Sequence, residues 1–317
     1  MGTLEGRKIA VVIPCYNEEL TIGKVIDDFG RELSSATIYV FDNCSTDATA
    51  NIAARHNAQV INEPRKGKGF VIESLFSRID ADFYVLVDGD DTYPAEYAKK
   101  LLEPVMAGNA DMVVGARLAD YAEKSFRPFH IFGNNLIRRL VNWMGGAQLT
   151  DIMSGYRAFN RRVVERIPVV SAGFEVETEM TIQILYYRMK IIEVQIPYKS
   201  RPAGSESKLS TWRDGFRVLW KIFTLFRAFK PLTFFGGMGL LFFILGIAAG
   251  ILPIRDYLTD PNHYVHHLPL AILATGLIIL SAGFVFLGIL LHVLNWRFLE
   301  LHNVLTRKTQ ITKGTIQ

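Results

Sequence analysis

The chain has 317 residues, half of them apolar, with 35 basic and 31 acidic side chains and a net charge of +4. That length suits one large domain plus a membrane segment, and the modest positive excess, which comes largely from residues 201–230, points to an anionic membrane surface and away from nucleic acid. Cys15 and Cys44 are the only cysteines, too few for a disulfide framework, and both read as small buried residues.

The opening residues MGTLEGRK lack the apolar core of a signal peptide, so the domain that follows is expected to stay on the cytosolic side. From Lys8 short apolar runs then alternate with helix-like stretches. KIAVVIP precedes a helix from Glu18, TIYVFD one from Thr46 to Asn57, QVINE one from Gly69 to Ile79, and FYVLVD one from Ala95 to Ala107; ADMVVGA closes the series. Such a β-α series implies an α/β fold with a parallel sheet, helices on both faces and functional groups at the carboxyl ends of the strands.

Three polar loops fall at those ends. Pro14-Cys15-Tyr16-Asn17-Glu18-Glu19 follows the first strand, Asp42-Asn43-Cys44-Ser45-Thr46-Asp47 the second, and Asp88-Gly89-Asp90-Asp91-Thr92-Tyr93-Pro94 the fourth. Crowded carboxylates repel one another, and a hard divalent cation relieves the repulsion while keeping coordination positions for a diphosphate such as that of a nucleotide-sugar. Lys66-Gly67-Lys68-Gly69, after the third strand, offers ammonium charges and backbone N–H groups to the same diphosphate. Asn17, Thr46 and Asp47 are equally ordinary helix-capping types, and an Asp-rich turn can simply cap a helix.

Residues 118 to 200 hold an amphipathic stretch from Asn134 to Met144, the run DIMSGYRAF, a short helix, an acidic helix start with Glu175, Glu177 and Glu179, and a strand-like KIIEVQIPYKSR. Acids at a helix start are favoured by its dipole, whatever else they do. Next, Trp212, Phe216, Leu219 and Phe223 share one helical face and Arg213, Arg217 and Lys221 another, the pattern of a helix lying in a membrane interface.

Residues 231 to 253 and 268 to 294 contain no Asp, Glu, Lys or Arg, and each exceeds the roughly 20 residues a bilayer requires. Their connector carries one basic residue, Arg255, against seven in residues 201 to 230 and four after residue 294, which puts both termini in the cytoplasm. His263, His266 and His267 in the connector read as a polar turn. The expected division is a catalytic domain over 1–208, a juxtamembrane helix over 209–230, two transmembrane helices within 231–294 and a cytosolic tail over 295–317.

Taken in order from residue 8 to about 230, these motifs resemble family 2 glycosyltransferases of the GT-A fold, in particular the polyprenyl-phosphate glycosyltransferases. The resemblance implies a Rossmann-like, mostly parallel sheet, followed here by an interfacial helix and two membrane helices. It implies that Pro14, Tyr16, Asn17, Glu18, Asp42 and Asn43 hold the nucleoside, that Lys68, Asp88, Gly89 and Glu177 face the diphosphate and sugar, and that Asp90, assisted by Asp91, binds Mg²⁺ or Mn²⁺. Thr92 stands where some members carry a further metal-binding Gln. Asp151 and Arg157 resemble the acceptor-side loop, and Arg201, Ser205 and Lys208 the basic element before the membrane, so Arg157, Arg201, Ser205 and Lys208 are expected at the acceptor phosphate, with Asp88, Asp90, Asp151 and Arg157 as the catalytic set.

The implied partners are a nucleotide-sugar donor linked to UDP or GDP, an undecaprenyl or dolichyl phosphate and the bilayer of a bacterial or archaeal plasma membrane, with no nucleic acid. A polyprenyl monophosphate is already an anion and can attack the anomeric carbon without a strong base, inverting it. A non-lipid acceptor, a polysaccharide synthase and an inactive nucleotide-binding scaffold are the competing readings; the Q-x-x-R-W motif of such synthases is missing. Two spans per subunit leave lipid-facing surface that a second copy could cover.

Overall fold

A computed structural model describes residues 6–117, 138–143, 146–199 and 211–314. The chain divides into two compact units, Met1–Ile222 and Phe223–Gln317.

The first unit is built on a seven-stranded sheet: β1 (Ile9–Cys15), β2 (Thr37–Asp42), β3 (Gln59–Asn62), β4 (Phe83–Leu86), β5 (Met112–Arg117), β6 (Arg157–Asn160) and β7 (Ile191–Ile196), in the spatial order β3-β2-β1-β4-β6-β5-β7. Both faces are covered, so the central strands read as continuous apolar runs. In β1, Ile9, Val11 and Ile13 face one core layer while Ala10 and Val12 face the other; β4 and the residue after it do the same, with Phe83, Val85 and Val87 against Tyr84 and Leu86.

Helices α1 (Ile22–Glu32), α2 (Thr49–Arg55), α3 (Lys68–Arg78), α4 (Ala98–Met106), α5 (Arg161–Arg166) and α6 (Val176–Tyr186) connect the strands. In α1 the buried Ile22, Val25, Ile26 and Phe29 recur at three- and four-residue spacing and form its inward stripe. The sequence expectation placed the starts of α1 and α2 at Glu18 and Thr46. Glu18 instead closes a turn with its carbonyl accepting from the amides of Thr21 and Ile22, and Asp47 makes a side-chain turn onto Thr49, so both helices begin later.

The sheet is mostly parallel, as expected, and one strand is the exception. β6 runs antiparallel to both β4 and β5, pairing Arg157 with Leu86 and with Val114. Its reversed direction sets its first residue, and the Ser154-Gly155-Tyr156 turn before it, at the same sheet edge as the carboxyl end of β4.

Helix α7 (Thr211–Phe229) begins in the first unit. In the second unit, α8 (Pro231–Thr259) packs on α9 (Leu268–Gly314). α8 and residues Leu268–Leu301 of α9 are each long and apolar enough to cross a bilayer. A Cβ on Gly239 would come within 2.7 Å of the Val285 side chain, so glycine there lets the two backbones approach closely.

Candidate active site

The loops after β1 and β2 are laced to each other. The Asn17 amide oxygen accepts from the Thr46 N–H at 2.7 Å, the Glu18 N–H donates to Thr49 Oγ1 at 2.8 Å, and the Ala48 N–H donates to Glu19 at 3.0 Å. Asn17, Cys44 and Asp91, in the loops after β1, β2 and β4, all adopt left-handed backbone angles, φ 53°, 66° and 58°. Non-glycine residues pay for that conformation, and such strain collects where an edge is shaped for function. Cys44 is half-buried and its backbone makes the turn, a correction to its reading as a core residue.

Four carboxylates converge around the end of β1. Burial, then the charges of Glu18, Asp42, Asp88 and Asp90, push the Cys15 thiol well above its ordinary pKa. Asp42 lies beside Cys15 in register, and its Oδ1 is a buried acceptor with no hydrogen-bond donor among the described residues. Tyr16 lies near, its hydroxyl accepting from Lys66 Nζ at 2.8 Å and its ring lying 4.2 Å below that ammonium.

Asn43 spends its whole amide on the chain. Its Nδ2 donates to the carbonyls of Glu63 at 3.0 Å and Arg65 at 2.8 Å, and its Oδ1 accepts from the Gly67 N–H at 2.7 Å. Gly69 in turn donates its N–H to the Ala172 carbonyl at 3.0 Å. The lysine-glycine loop therefore gives two of the amides expected for a diphosphate to internal partners, and its offering to an anion is its cationic side chains. Gly67 sits at φ 142°, and a Cβ at either glycine would overlap the backbone of Ser171 or Ala172.

Lys68 is the buried centre of the site. Its ammonium bridges Asp88 and Glu177, the latter at 2.6 Å. Burial opposes its charge, yet the two carboxylates outweigh that and lift its pKa above the ordinary lysine value. The other oxygen of Glu177, Oε2, is buried without a donor among the described residues. On the opposite side Gly155 closes against Asp88: a Cβ there would overlap the carboxylate. The Gly155 N–H donates to the Tyr93 hydroxyl at 3.0 Å, which ties the β6 entry turn to the Asp-rich loop.

Asp90 is 3% exposed, and its Oδ1 accepts from the Thr92 hydroxyl at 2.5 Å. Asp91 turns the other way and pairs with Lys24 of α1 at 2.6 Å, so of the two expected metal ligands Asp90 is the one held inside. Among the described residues no three His, Cys, Asp or Glu side chains are placed to hold a metal ion by themselves. A hard cation held through Asp90 would thus take most of its oxygens from a bound diphosphate, a donor set that suits Mg²⁺ or Mn²⁺.

The expected acceptor-side residues separate. Asp151 clamps Arg117, at the end of β5, through paired bonds of 2.7 and 3.0 Å. Burial disfavours both charges, but their attraction prevails: Asp151 lies below the ordinary carboxylate value and Arg117 above the ordinary arginine value. Arg157, expected at the acceptor phosphate, is fully buried. It donates to the carbonyls of Ser154 at 2.9 Å and Ile152 at 2.6 Å and to Thr181 Oγ1 at 2.9 Å. Its guanidinium is thus the internal strut of the loop between Asp151 and β6, a correction to its expected contact with a phosphate. Arg201, Ser205 and Lys208 lie outside the described residues.

Residues 10–168 match the family model for glycosyl transferase family 2. The chain is 34% identical over 232 residues to the glycosyltransferase AglJ of Haloferax volcanii, an alignment covering 73% of this chain and 76% of that one. This chain belongs to glycosyl transferase family 2. A second relative, from the same organism, bears the name dolichyl-phosphate hexose transferase; the transferase described here shares 33% identity with it over 65% of its own length and 89% of the relative's. Its fold is that of glucosyl-3-phosphoglycerate synthase from Mycobacterium tuberculosis, solved with Mn²⁺ and UDP-glucose: TM-score 0.56 at 22% identity, over 68% of this chain and 79% of that one.

Four residues of the transferase that the sequence had not assigned to the site stand in or beside it. Arg117 and Tyr198 flank Asp151 and Asp90, with the Arg117 guanidinium 5.4 Å from the Tyr198 ring centre. Tyr93 braces Gly155, and Glu179 holds the segment on which the lysine-glycine loop rests. The one sequence signal for Arg117 and Tyr93 was their place at or just beyond strand ends.

Proposed function

We propose that the transferase moves a hexose-type sugar from a nucleoside-diphosphate donor to a polyprenyl phosphate, inverting the anomeric carbon. The observation that carries this reading is the meeting of Lys68, Asp88 and Glu177 just past the end of β4, two residues before the buried Asp90. A buried ammonium among carboxylates offers a diphosphate oxygen an N–H donor and sugar hydroxyls acceptors in one place. The lipid acceptor is supported by the name of the dolichyl-phosphate relative and by two helices long enough to span a bilayer.

In the transfer an oxygen of the acceptor phosphate bonds to the anomeric carbon as the carbon–oxygen bond to the donor diphosphate breaks, and that electron pair leaves with the nucleoside diphosphate. The acceptor is already an anion, so no side chain has to remove a proton; position and charge are what the protein supplies. Lys68 stands over the diphosphate side. Glu177 Oε2 and Asp42 Oδ1, each a buried acceptor without a partner among the described residues, take hydrogen bonds from the sugar and the nucleoside. Asp151, by holding Arg117, keeps a cation at the end of β5 on the acceptor side. Asp90 is the residue that would hold Mg²⁺ or Mn²⁺, which when bound neutralises charge building on the leaving group. The basic stretch 201–230 and the exposed Phe216 and Trp220 of α7 support a cytoplasmic site with α7 at the membrane surface.

The test is to incubate the purified protein in detergent with Mn²⁺ or Mg²⁺, a polyprenyl phosphate and a panel of UDP- and GDP-sugars, and to follow the product by mass spectrometry and NMR. A glycolipid of inverted configuration is expected with one donor. Chelation should abolish it, and Asp90→Ala should lower turnover by about 100-fold or more. A product that stays in the water phase, or one that retains the donor configuration, would overturn the reading.

A further inference from the structure

Two carboxylates on the first turn of α6 look in opposite directions. Glu177 and Glu179 stand two residues apart, about 200° around the helix, and while Glu177 reaches Lys68, Glu179 is turned to a different set of partners. Glu179 is 1% exposed. Its Oε2 accepts the backbone N–H groups of Ser171 at 2.7 Å and Val170 at 3.3 Å, and its Oε1 meets Lys221 of α7 at 3.0 Å and accepts from Gln183 at 3.2 Å. A carboxylate so enclosed needs a cation, and Lys221, itself mostly covered, is the one that reaches it among the described residues.

The segment held by Glu179 is also the seat of the lysine-glycine loop. Ala172 accepts the Gly69 N–H, and Gly67 and Gly69 lie so close to the carbonyls of Ala172 and Ser171 that no Cβ fits. A chain of direct contacts therefore runs from Lys221 to Glu179, to residues 170–172, and to the loop that carries Lys68. We propose that Lys221 is a positioning residue for the donor site: its ammonium fixes the wall on which the lysine-glycine loop rests, so the seating of the juxtamembrane helix α7 becomes a condition of tight donor binding. The ammonium touches no reacting group; it acts through Glu179. The effect on donor binding rests on the proposed role of Lys68, whereas the relay itself does not.

The experiment measures amide hydrogen exchange and kinetics on the full chain in detergent for wild type, Lys221→Gln, Lys221→Arg and Glu179→Gln. Lys99→Gln serves as a control that breaks an exposed ion pair, with Glu32, elsewhere on the unit. Lys221→Gln should speed exchange at residues 66–72 and 170–172 by about tenfold. It should raise the donor KM by a similar factor, with kcat and the KM for polyprenyl phosphate changing less than about twofold. Lys221→Arg, which can still pair with the carboxylate, should restore both, and Lys99→Gln should change neither. Glu179→Gln keeps acceptors for the two amides but loses the charge, and should move in the same direction, so the test survives if Lys221→Gln fails to fold. Unchanged exchange at 66–72 in both variants, or equal losses for donor and acceptor, overturns the proposal. Faster exchange in a series where even wild type turns over no donor supports the relay and counts against the transfer reading.

Discussion

Gly155 has no side chain, and that is what lets the Asp88 carboxylate lie against the β6 entry turn while it pairs with Lys68. The atoms a methyl group there would meet first are the tip of a side chain, which can move. Gly155→Ala should therefore cost catalysis more than stability: a drop of about tenfold to a hundredfold in kcat/KM for the donor, with the melting temperature within a few degrees of wild type, read by steady-state assay and by circular dichroism. A large loss of stability with normal activity in the folded fraction would show that the carboxylate's position is immaterial. Asp88, Asp90 and Lys68 were legible in the sequence because each follows an apolar run, where an α/β sheet exposes its strand ends. Arg157 was not. An arginine opening the run RAF reads the same whether it faces a ligand or the interior, and what turns it inward is Thr181, 24 residues away, and two carbonyls of a loop whose path the sequence does not reveal.

Among the elements, the connection from β3 to α3 shows how a strand end is made rigid enough to hold a loop. Glu63, just past β3, is fully buried, pairs with Arg65 at 2.9 Å and accepts from the Ser74 hydroxyl on α3. The Arg65 hydrogen bond, against burial and helped by Ser74, lowers its pKa from 4.5 to about 2. A carboxyl group more acidic in the folded state stabilises above its unfolded pKa and loses that contribution as the pH falls through its folded value. The difference of about 2.5 units corresponds to roughly 3 kcal/mol at pH 7, and about half of that or less near pH 3. Glu63→Gln should thus destabilise the first unit by up to that amount at pH 7 and by much less at pH 3, measured by urea unfolding at both; an equal loss at both would mean that shape, not charge, is what matters there. At this scale the sequence was most informative where burial is two-sided, since β1, β4 and β5 announce themselves as unbroken apolar runs. β6 gave no such sign. Its four residues are too short for periodicity, and both of its neighbours are fixed by pairing across more than forty positions, a choice made by the assembled sheet.

For the whole molecule, the question the two units raise is which side of the membrane each end of the helix pair occupies. The apolar lengths of α8 and α9 were plain in the sequence, although α9 continues as helix well past residue 294, because a helix need not stop where its apolar stretch does. Orientation rests on charge. Seven basic residues precede α8 and four follow residue 294, whereas the connector between the helices holds Arg255 alone, and moving a cluster of cations across a bilayer is far costlier than moving one. The connector, with the exposed His263, should therefore lie outside the cell and the first unit inside. A cysteine at each place tests this in a Cys44→Ser background, in which the remaining Cys15 is buried. His263→Cys should react with a membrane-impermeant maleimide in intact cells, and Lys99→Cys, on the exposed surface of α4, only after permeabilisation. The reverse pattern would put the sheet edge bearing Asp88 and Asp90 on the outer face, where a cytoplasmic nucleotide-sugar cannot reach it, and would remove the donor proposed for this enzyme along with the topology.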